Sequence, residues 1–360
     1  FPQLPLGIAA QKPKLRVPKK KNVRLHLGKN FLKAAGKYQV IIKSPGIPTK
    51  ALKPFLKTGQ HITSQAALFF ANCPGMIIGI TGTKGKSTTS SLIYQILKAG
   101  GKNAYLVGNI ETPSLSLLQK AKQGDVFVYE LSSFQLADLR QSPHIAVILN
   151  IFPEHLDHHG TLKEYLKAKS GIARFQKRGD VIVYDAQNRY AATLARLSPG
   201  RKIPFSKKKK AAKSQSQIAW VAATEPAVIV GTLFGIPKAK IAAAVRKFKP
   251  LLHRLEPVGT FRGITFVNDS AATNPASTMA ALKILNPHTL IAGGLDRGLS
   301  YKELGREIGK SSVHFLVLFP DTGKKILRGI RRNILRHTVS NMKEAVRLSY
   351  AHTPKGRICL

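Results

Sequence analysis

Short apolar runs alternate with stretches of helical period along most of this chain. Residues 76–81 (MIIGIT) read as a buried strand, and a glycine-containing turn follows. SSLIYQILKAGG then sets Leu92, Ile93, Ile96 and Leu97 on one helical face before Gly100 and Gly101 stop it. Strands are expected next at 103–107, 125–131 (DVFVYEL) and 144–151 (HIAVILNI), separated by helix-compatible segments. This alternation predicts an α/β protein with mainly parallel sheets. Near residue 252 the texture changes: EPVGTFRGITFVNDS predicts a hairpin, and strand–helix alternation then resumes as far as RICL. Domains are therefore expected at 1–72 (partial), 73–252 and 253–360. The first is short for a doubly wound domain and the last strand stops at Leu360, so truncation at both ends is expected.

Charge changes the picture more than hydropathy does. There are 58 Lys and Arg against 17 Asp and Glu, a net charge of +41, and no acid precedes Glu111. Such a field attracts anions, so non-specific binding of nucleic acid or another polyanion is an expected partnership. No aromatic-interleaved RNA motif, zinc finger or recognition helix accompanies it. No apolar run approaches the roughly 18 residues needed to cross a bilayer, and two cysteines, Cys73 and Cys359, suit a reducing compartment. A soluble, cytoplasmic monomer without membrane insertion is the expectation. Seven acids, Glu130, Glu154, Asp157, Glu256, Asp269, Asp296 and Asp321, lie within or beside the motifs that follow.

The turn after the first strand, GTKGKST at 82–88, nearly fits the phosphate-loop pattern G-x-x-x-x-G-K-[ST], except that Ile80 stands where the opening glycine belongs. A strand running through glycines into a helix presents backbone N–H groups and a positive dipole end to phosphate. Lys86 can reach the β and γ phosphates and Ser87 can ligate Mg²⁺. Glu130 ends an apolar strand, where open α/β sheets bind ligands and an acid can hold a metal. NIFPEHLDHHG gathers His155, Asp157, His158 and His159, but lacks a cysteine partner or H-E-x-x-H spacing, which argues against zinc. GTLKEYLKAKSGIARF reads as a helix carrying Lys167 and Lys169, which as lysines are ordinarily solvated.

In their order, GTKGKST, GNI (108–110), YELSSFQL (129–136), NIFPEHLDHHG with the following KAK, HRLE (253–256), NDSAATNP (268–275) and GGLDRG (293–298) resemble the Mur ligases. SPGIP (44–48) and NDSAATNP resemble the D-glutamate-adding branch more than its siblings. The resemblance implies a truncated N-terminal Rossmann-like domain for a UDP-linked substrate, a central P-loop ATPase-type parallel sheet and a C-terminal Rossmann-like domain for the amino acid. It implies ATP-dependent addition of D-glutamate to UDP-N-acetylmuramoyl-L-alanine through an acyl phosphate, in peptidoglycan synthesis, with ATP and Mg²⁺ as cofactors. By the same resemblance ATP would be held by Gly82, Thr83, Lys84, Gly85, Lys86, Ser87, Thr88, Arg254 and Asp269. Mg²⁺ would be held by Ser87, Glu130, His155 and Lys169, the last as a carbamate, with Lys86, Glu130, His155 and Lys169 catalytic. Gly46, Asn109 and Ser132 would face the UDP-muramoyl substrate, and Thr273 and Arg297 the D-glutamate.

The chain departs from the family pattern at several points. Ala271 replaces the usual lysine of NDSKATN, Glu111 follows GNI in place of glycine, and residues 217–230 replace the segment that normally contacts adenine. The Gly-rich first turn of the N-terminal domain and the LSPA segment are not in the chain. A sibling Mur ligase or a folylpolyglutamate synthase-like enzyme would share the ATPase centre. A non-catalytic basic scaffold binding RNA is the alternative of a different class.

Overall fold

A computed structural model describes residues 4–11, 21–108, 113–206, 216–248, 253–272, 274–296 and 299–360. Its contacts divide the chain into two compact units, residues 1–206 with 226–244, and residues 207–225 with 245–360.

The first unit opens with two small parallel pairs, β1 (Leu6–Ala10) with β2 (Val23–Leu27) and β3 (Val40–Lys43) with β4 (His61–Ser64). Its main sheet holds β5 (Met76–Thr81), β6 (Ala104–Gly108), β7 (Val126–Glu130), β8 (Ile145–Ile148), β9 (Val181–Asp185) and β10 (Arg201–Phe205). The order is β10-β9-β8-β5-β7-β6, and every pairing is parallel. β7 and β8 are buried along their whole length, as expected of parallel strands covered on both faces. On one face, Phe69 and Phe70 of helix Gln65–Asn72 meet Phe127 and Tyr129 edge-on or tilted. Helix Lys86–Ala99 buries Leu92, Ile93, Ile96 and Leu97, the face expected from its periodicity.

The second unit adds β11 (Glu256–Phe261), β12 (Ile264–Asn268), β13 (Thr289–Ala292), β14 (Phe315–Leu318), β15 (Leu335–Thr338) and β16 (Ile358–Cys359). Only the β11–β12 hairpin is antiparallel in the order β11-β12-β16-β13-β14-β15. Its two-residue turn, Arg262-Gly263, has φ of 52° and 79°, the paired positive values that let a tight hairpin follow strand twist. RICL supplies β16 in the interior of the sheet, and Leu360 O accepts a hydrogen bond from Ile291 N. Residues 216–233 form a helix, an element that the sequence pattern had not indicated.

Candidate active site

The loop after β5 is built around two glycines with different jobs. A Cβ on Gly82 would stand 2.7 Å from Leu149 Cβ, so only glycine lets the loop lie against the end of β8. Gly85 adopts φ 87°, the left-handed conformation that starts helix Lys86–Ala99. Backbone bonds fix the loop between them: Leu149 N donates to Thr81 O at 2.9 Å and Thr83 N to Asn150 O at 2.7 Å. Asn150 adds its side chain, whose Oδ1 accepts from Lys84 N at 3.2 Å. Thr83 is 5% exposed, and its hydroxyl is committed to structure. It donates to Phe152 O (3.1 Å), accepts from Phe152 N (2.9 Å) and meets the Tyr165 hydroxyl at 3.1 Å. Burial pushes the Tyr165 phenol above its ordinary pKa, partly offset by the bond to Thr83, so it remains a neutral donor.

Three lysine side chains converge on this loop. Lys86 Nζ bends back to donate to Gly82 O (3.0 Å) and Thr83 O (3.1 Å). Lys84 Nζ meets Glu154 Oε1 at 3.2 Å. Lys169, on helix Leu162–Ser170, is 2% exposed and donates to Thr81 Oγ1 (3.1 Å) and Gly82 O (3.2 Å). The general expectation that such a lysine is solvated is therefore corrected: the side chain is folded inward beneath the loop. Burial first, then the neighbouring Lys86 charge, lower its pKa well below 10.5, against a smaller opposing effect of Glu154. Both effects act against the charged form of this amine at the foot of the phosphate-type loop.

Glu130 is 2% exposed, and the register pairs it with Ile80, two residues before Gly82. The acid thus stands one strand away from the loop, at the carboxyl edge of the sheet. Its carboxylate and the hydroxyl of Ser87 are hard oxygen donors of the kind Mg²⁺ takes. No group of three His, Cys, Asp or Glu able to hold a metal occurs among the described residues. Two hard oxygen donors fit an ion that completes its shell with water and phosphate oxygens, as Mg²⁺ commonly does.

His155 has φ 56°, uncommon for a residue with a side chain, and its Nε2 lies 3.8 Å from Glu154 Oε2. Phe134 is the hub of the histidine segment, with ring centroids 5.0, 4.4 and 5.4 Å from those of His155, His158 and His159. Ser132, expected at the substrate, caps helix Ser133–Leu136 in a capping box with Gln135. A cleft of about 650 Å³ opens beside these residues, lined by Pro45 and Ile47 next to Gly46, and by Phe134, His158 and His159.

In the second unit, the backbone folds the HRLE turn onto the NDSAA segment. His253 and Leu255, at φ 63° and 47°, flank Arg254, and Leu255 N donates to Asp269 Oδ1 at 3.1 Å. Ala271 N donates to His253 O at 3.0 Å. Asn109, Thr273 and Arg297 lie outside the described residues, as does the side chain of Asp157. Asn150, Phe134 and Tyr165 were missed by sequence reasoning. Their only signal was position, an amide just past a buried strand and two aromatics inside motif segments.

Residues 80–240 match the sequence profile described as the Mur ligase middle domain, and residues 253–360 that of the Mur ligase, glutamate ligase domain. The chain belongs to the Mur ligase family. Among the relatives of this Mur ligase is the UDP-N-acetylmuramoylalanine–D-glutamate ligase of Streptococcus pyogenes serotype M49, 32% identical over 346 residues, 89% of this chain and 76% of that one. The ligase of the same name from Clostridium tetani is 29% identical over 373 residues, 94% and 81% of the two chains. In fold, this Mur ligase is similar to MurF ligase from Thermotoga maritima in complex with ADP, with a TM-score of 0.64 and 16% identity over 89% of each chain. It is similar also to E. coli FolC in complex with DHPP and ADP, with a TM-score of 0.63 and 15% identity over 82% of this chain and 87% of that one. The fold is therefore one that this Mur ligase shares with both MurF and FolC. No helix among the described residues is long and apolar enough to cross a membrane.

Proposed function

We propose that this Mur ligase joins D-glutamate to the terminal carboxylate of UDP-N-acetylmuramoyl-L-alanine at the expense of ATP. The observation that carries the reading is the pairing of Ile80 with Glu130, which sets a buried acid beside a glycine loop that lies over the buried amine of Lys169. The named relatives supply the substrate pair.

An amide does not form from a carboxylate in water without a better leaving group than hydroxide. In the proposed reaction a carboxylate oxygen takes the γ-phosphoryl group and ADP departs. The D-glutamate amine then attacks the acyl carbon, inorganic phosphate leaves and the nitrogen sheds a proton. The loop's backbone N–H groups and Lys86 would neutralise the phosphoryl oxygens, Lys86 exchanging its bonds to Gly82 O and Thr83 O for phosphate. Mg²⁺, when bound, would supply charge neutralisation on those oxygens, and Ser87, Glu130 and His155 are the residues proposed to hold it. A neutral Lys169 can add to CO₂ through its nitrogen and lose a proton, giving a carbamate able to serve as a further oxygen ligand. Arg254 and Asp269 are proposed for the nucleotide, Gly46, Asn109 and Ser132 for the muramoyl substrate, and Thr273 and Arg297 for D-glutamate.

The test is phosphate release from ATP. Release that requires both UDP-N-acetylmuramoyl-L-alanine and D-glutamate supports the reading, and its loss in Lys86→Ala and Glu130→Ala supports the site. Release independent of either substrate, or activity retained in those variants, refutes it. RNA binding that survives moderate salt without such turnover would favour the scaffold alternative.

A further inference from the structure

Lys43 is the last residue of β3, directly before Ser44-Pro45-Gly46, and its side chain is only 4% exposed. A lysine is seldom buried without a partner. Its Nζ lies 2.5 Å from Oδ2 of Asp138, itself 10% exposed and two residues past helix Ser133–Leu136. Asp138 Oδ2 makes no hydrogen bond, so the contact is a charge pair. Among the described residues it is the one ion pair or hydrogen bond joining residues 4–63 to residues 74–206.

Both partners line the 650 Å³ cleft, one on the wall formed by residues 43–50 and the other on the wall that carries Phe134. The remaining charged lining is Lys50, Arg140, Lys167 and Arg174 against Glu164, which is 3.8 Å from Lys167. The cleft is therefore cationic apart from the Lys43–Asp138 pair, which cancels within itself. An anionic occupant is attracted by the other cations, while Lys43 is already engaged.

We propose that the Lys43–Asp138 pair is a latch across this cleft, a positioning device that sets its width for an anionic nucleotide-linked substrate. The proposal rests on the function proposed above for the identity of that substrate. A buried pair of opposite charges, unlike an apolar contact, cannot lose one member without leaving the other unneutralised in a poorly solvated place. Removing one partner leaves the other as an uncompensated buried charge, which drives the two walls apart to let water in.

The experiment combines two readouts on the full chain. Hydrogen–deuterium exchange over residues 40–52, without ligand, is expected to rise at least several-fold in Lys43→Met and Asp138→Asn. Calorimetric titration with UDP-N-acetylmuramoyl-L-alanine is expected to weaken about tenfold, the counterpart of about 1.4 kcal/mol, with ATP affinity changed less than about twofold. Lys43→Arg, which keeps the charge and folds more safely, should restore both. The double variant Lys43→Met with Asp138→Leu should recover melting temperature but retain weakened titration, which a merely structural pair would not. Unchanged exchange in the single variants, or full recovery of substrate affinity by the apolar double variant, overturns the latch. Wild-type protein without affinity for the nucleotide sugar would overturn the proposed function instead, and exchange alone would then decide the latch.

Discussion

Replacing Gly82 with alanine isolates the fixed loop from everything else. The added Cβ would lie 2.7 Å from Leu149 Cβ and 3.2 Å from Asn150 O, neither of them the far end of a flexible side chain. Ordinary carbon contacts lie at about 3.5–4.0 Å, so the loop must withdraw by roughly 1 Å. It is tied at that point by Thr83 N to Asn150 O at 2.7 Å and Leu149 N to Thr81 O at 2.9 Å, and that withdrawal breaks at least one bond. Overpacking costs about 1–3 kcal/mol and a lost hydrogen bond about 1 kcal/mol. A melting temperature lower by roughly 5–10 °C is expected for a unit of this size. A misplacement of about 1 Å at phosphate should cut kcat/KM on the order of 100-fold. Scanning calorimetry and coupled phosphate release measure the two effects. Gly46→Ala is the control, since nothing lies within 4 Å of its would-be Cβ, and its stability should match wild type. A Gly82→Ala protein that melts and turns over like wild type would show that the loop is not held as described.

Four further outcomes are expected. Ser132→Ala removes the capping box and should lower stability by about 1 kcal/mol by urea titration; an unchanged midpoint would assign Ser132 to substrate alone. Lys169 in the folded state binds fewer protons than in the unfolded chain between its lowered pKa and 10.5, so stability rises with pH across that window. Lys169→Met should therefore melt higher than wild type at pH 7, with the gap closing towards pH 10.5, and lose activity; a gap that widens contradicts the buried amine. Cys359 is 1% exposed with its thiol pushed up to about 11, so disulfide reagents at pH 8 should reach it only after denaturation, as peptide mapping can show. With a charge of +41, added NaCl should raise the melting temperature by screening self-repulsion, and a fall would mean that ion pairs dominate.

How much of this was legible in the sequence depends on the range of the interaction. MIIGIT and the helix after it follow from periodicity, since local burial alternates with the chain, and both formed as expected. The FRG hairpin was legible because two positive φ values in a two-residue turn favour glycine. Lys169 was misleading: nothing within its helix says that the side chain turns inward beneath Thr81 and Gly82, 88 and 87 residues away. The hydroxyl of Thr83 likewise goes to Phe152 and Tyr165, a choice made by tertiary packing rather than by the loop motif. The Lys43–Asp138 pair had no signal in the sequence, because a pair 95 residues apart leaves no local signature.

The scarcity of acids now has a physical reading at the level of single residues. Asp125, Asp180, Asp185, Glu256 and Asp269 each accept a hydrogen bond from a backbone N–H. Asp138, Glu154, Glu164, Asp296 and Glu307 each face a lysine. Glu303, Asp321 and Glu344 occupy the first turns of helices, where a negative charge meets the positive end of the dipole. An acid that satisfies a backbone donor cannot be exchanged for a lysine without stranding that donor and adding a repulsion, whereas a solvated acid can. The five carboxylates that accept from the backbone therefore mark where the fold requires negative charge. Glu130, 2% exposed at the end of β7, is kept at the carboxyl edge of the sheet, where the proposed function gives it a cation to hold.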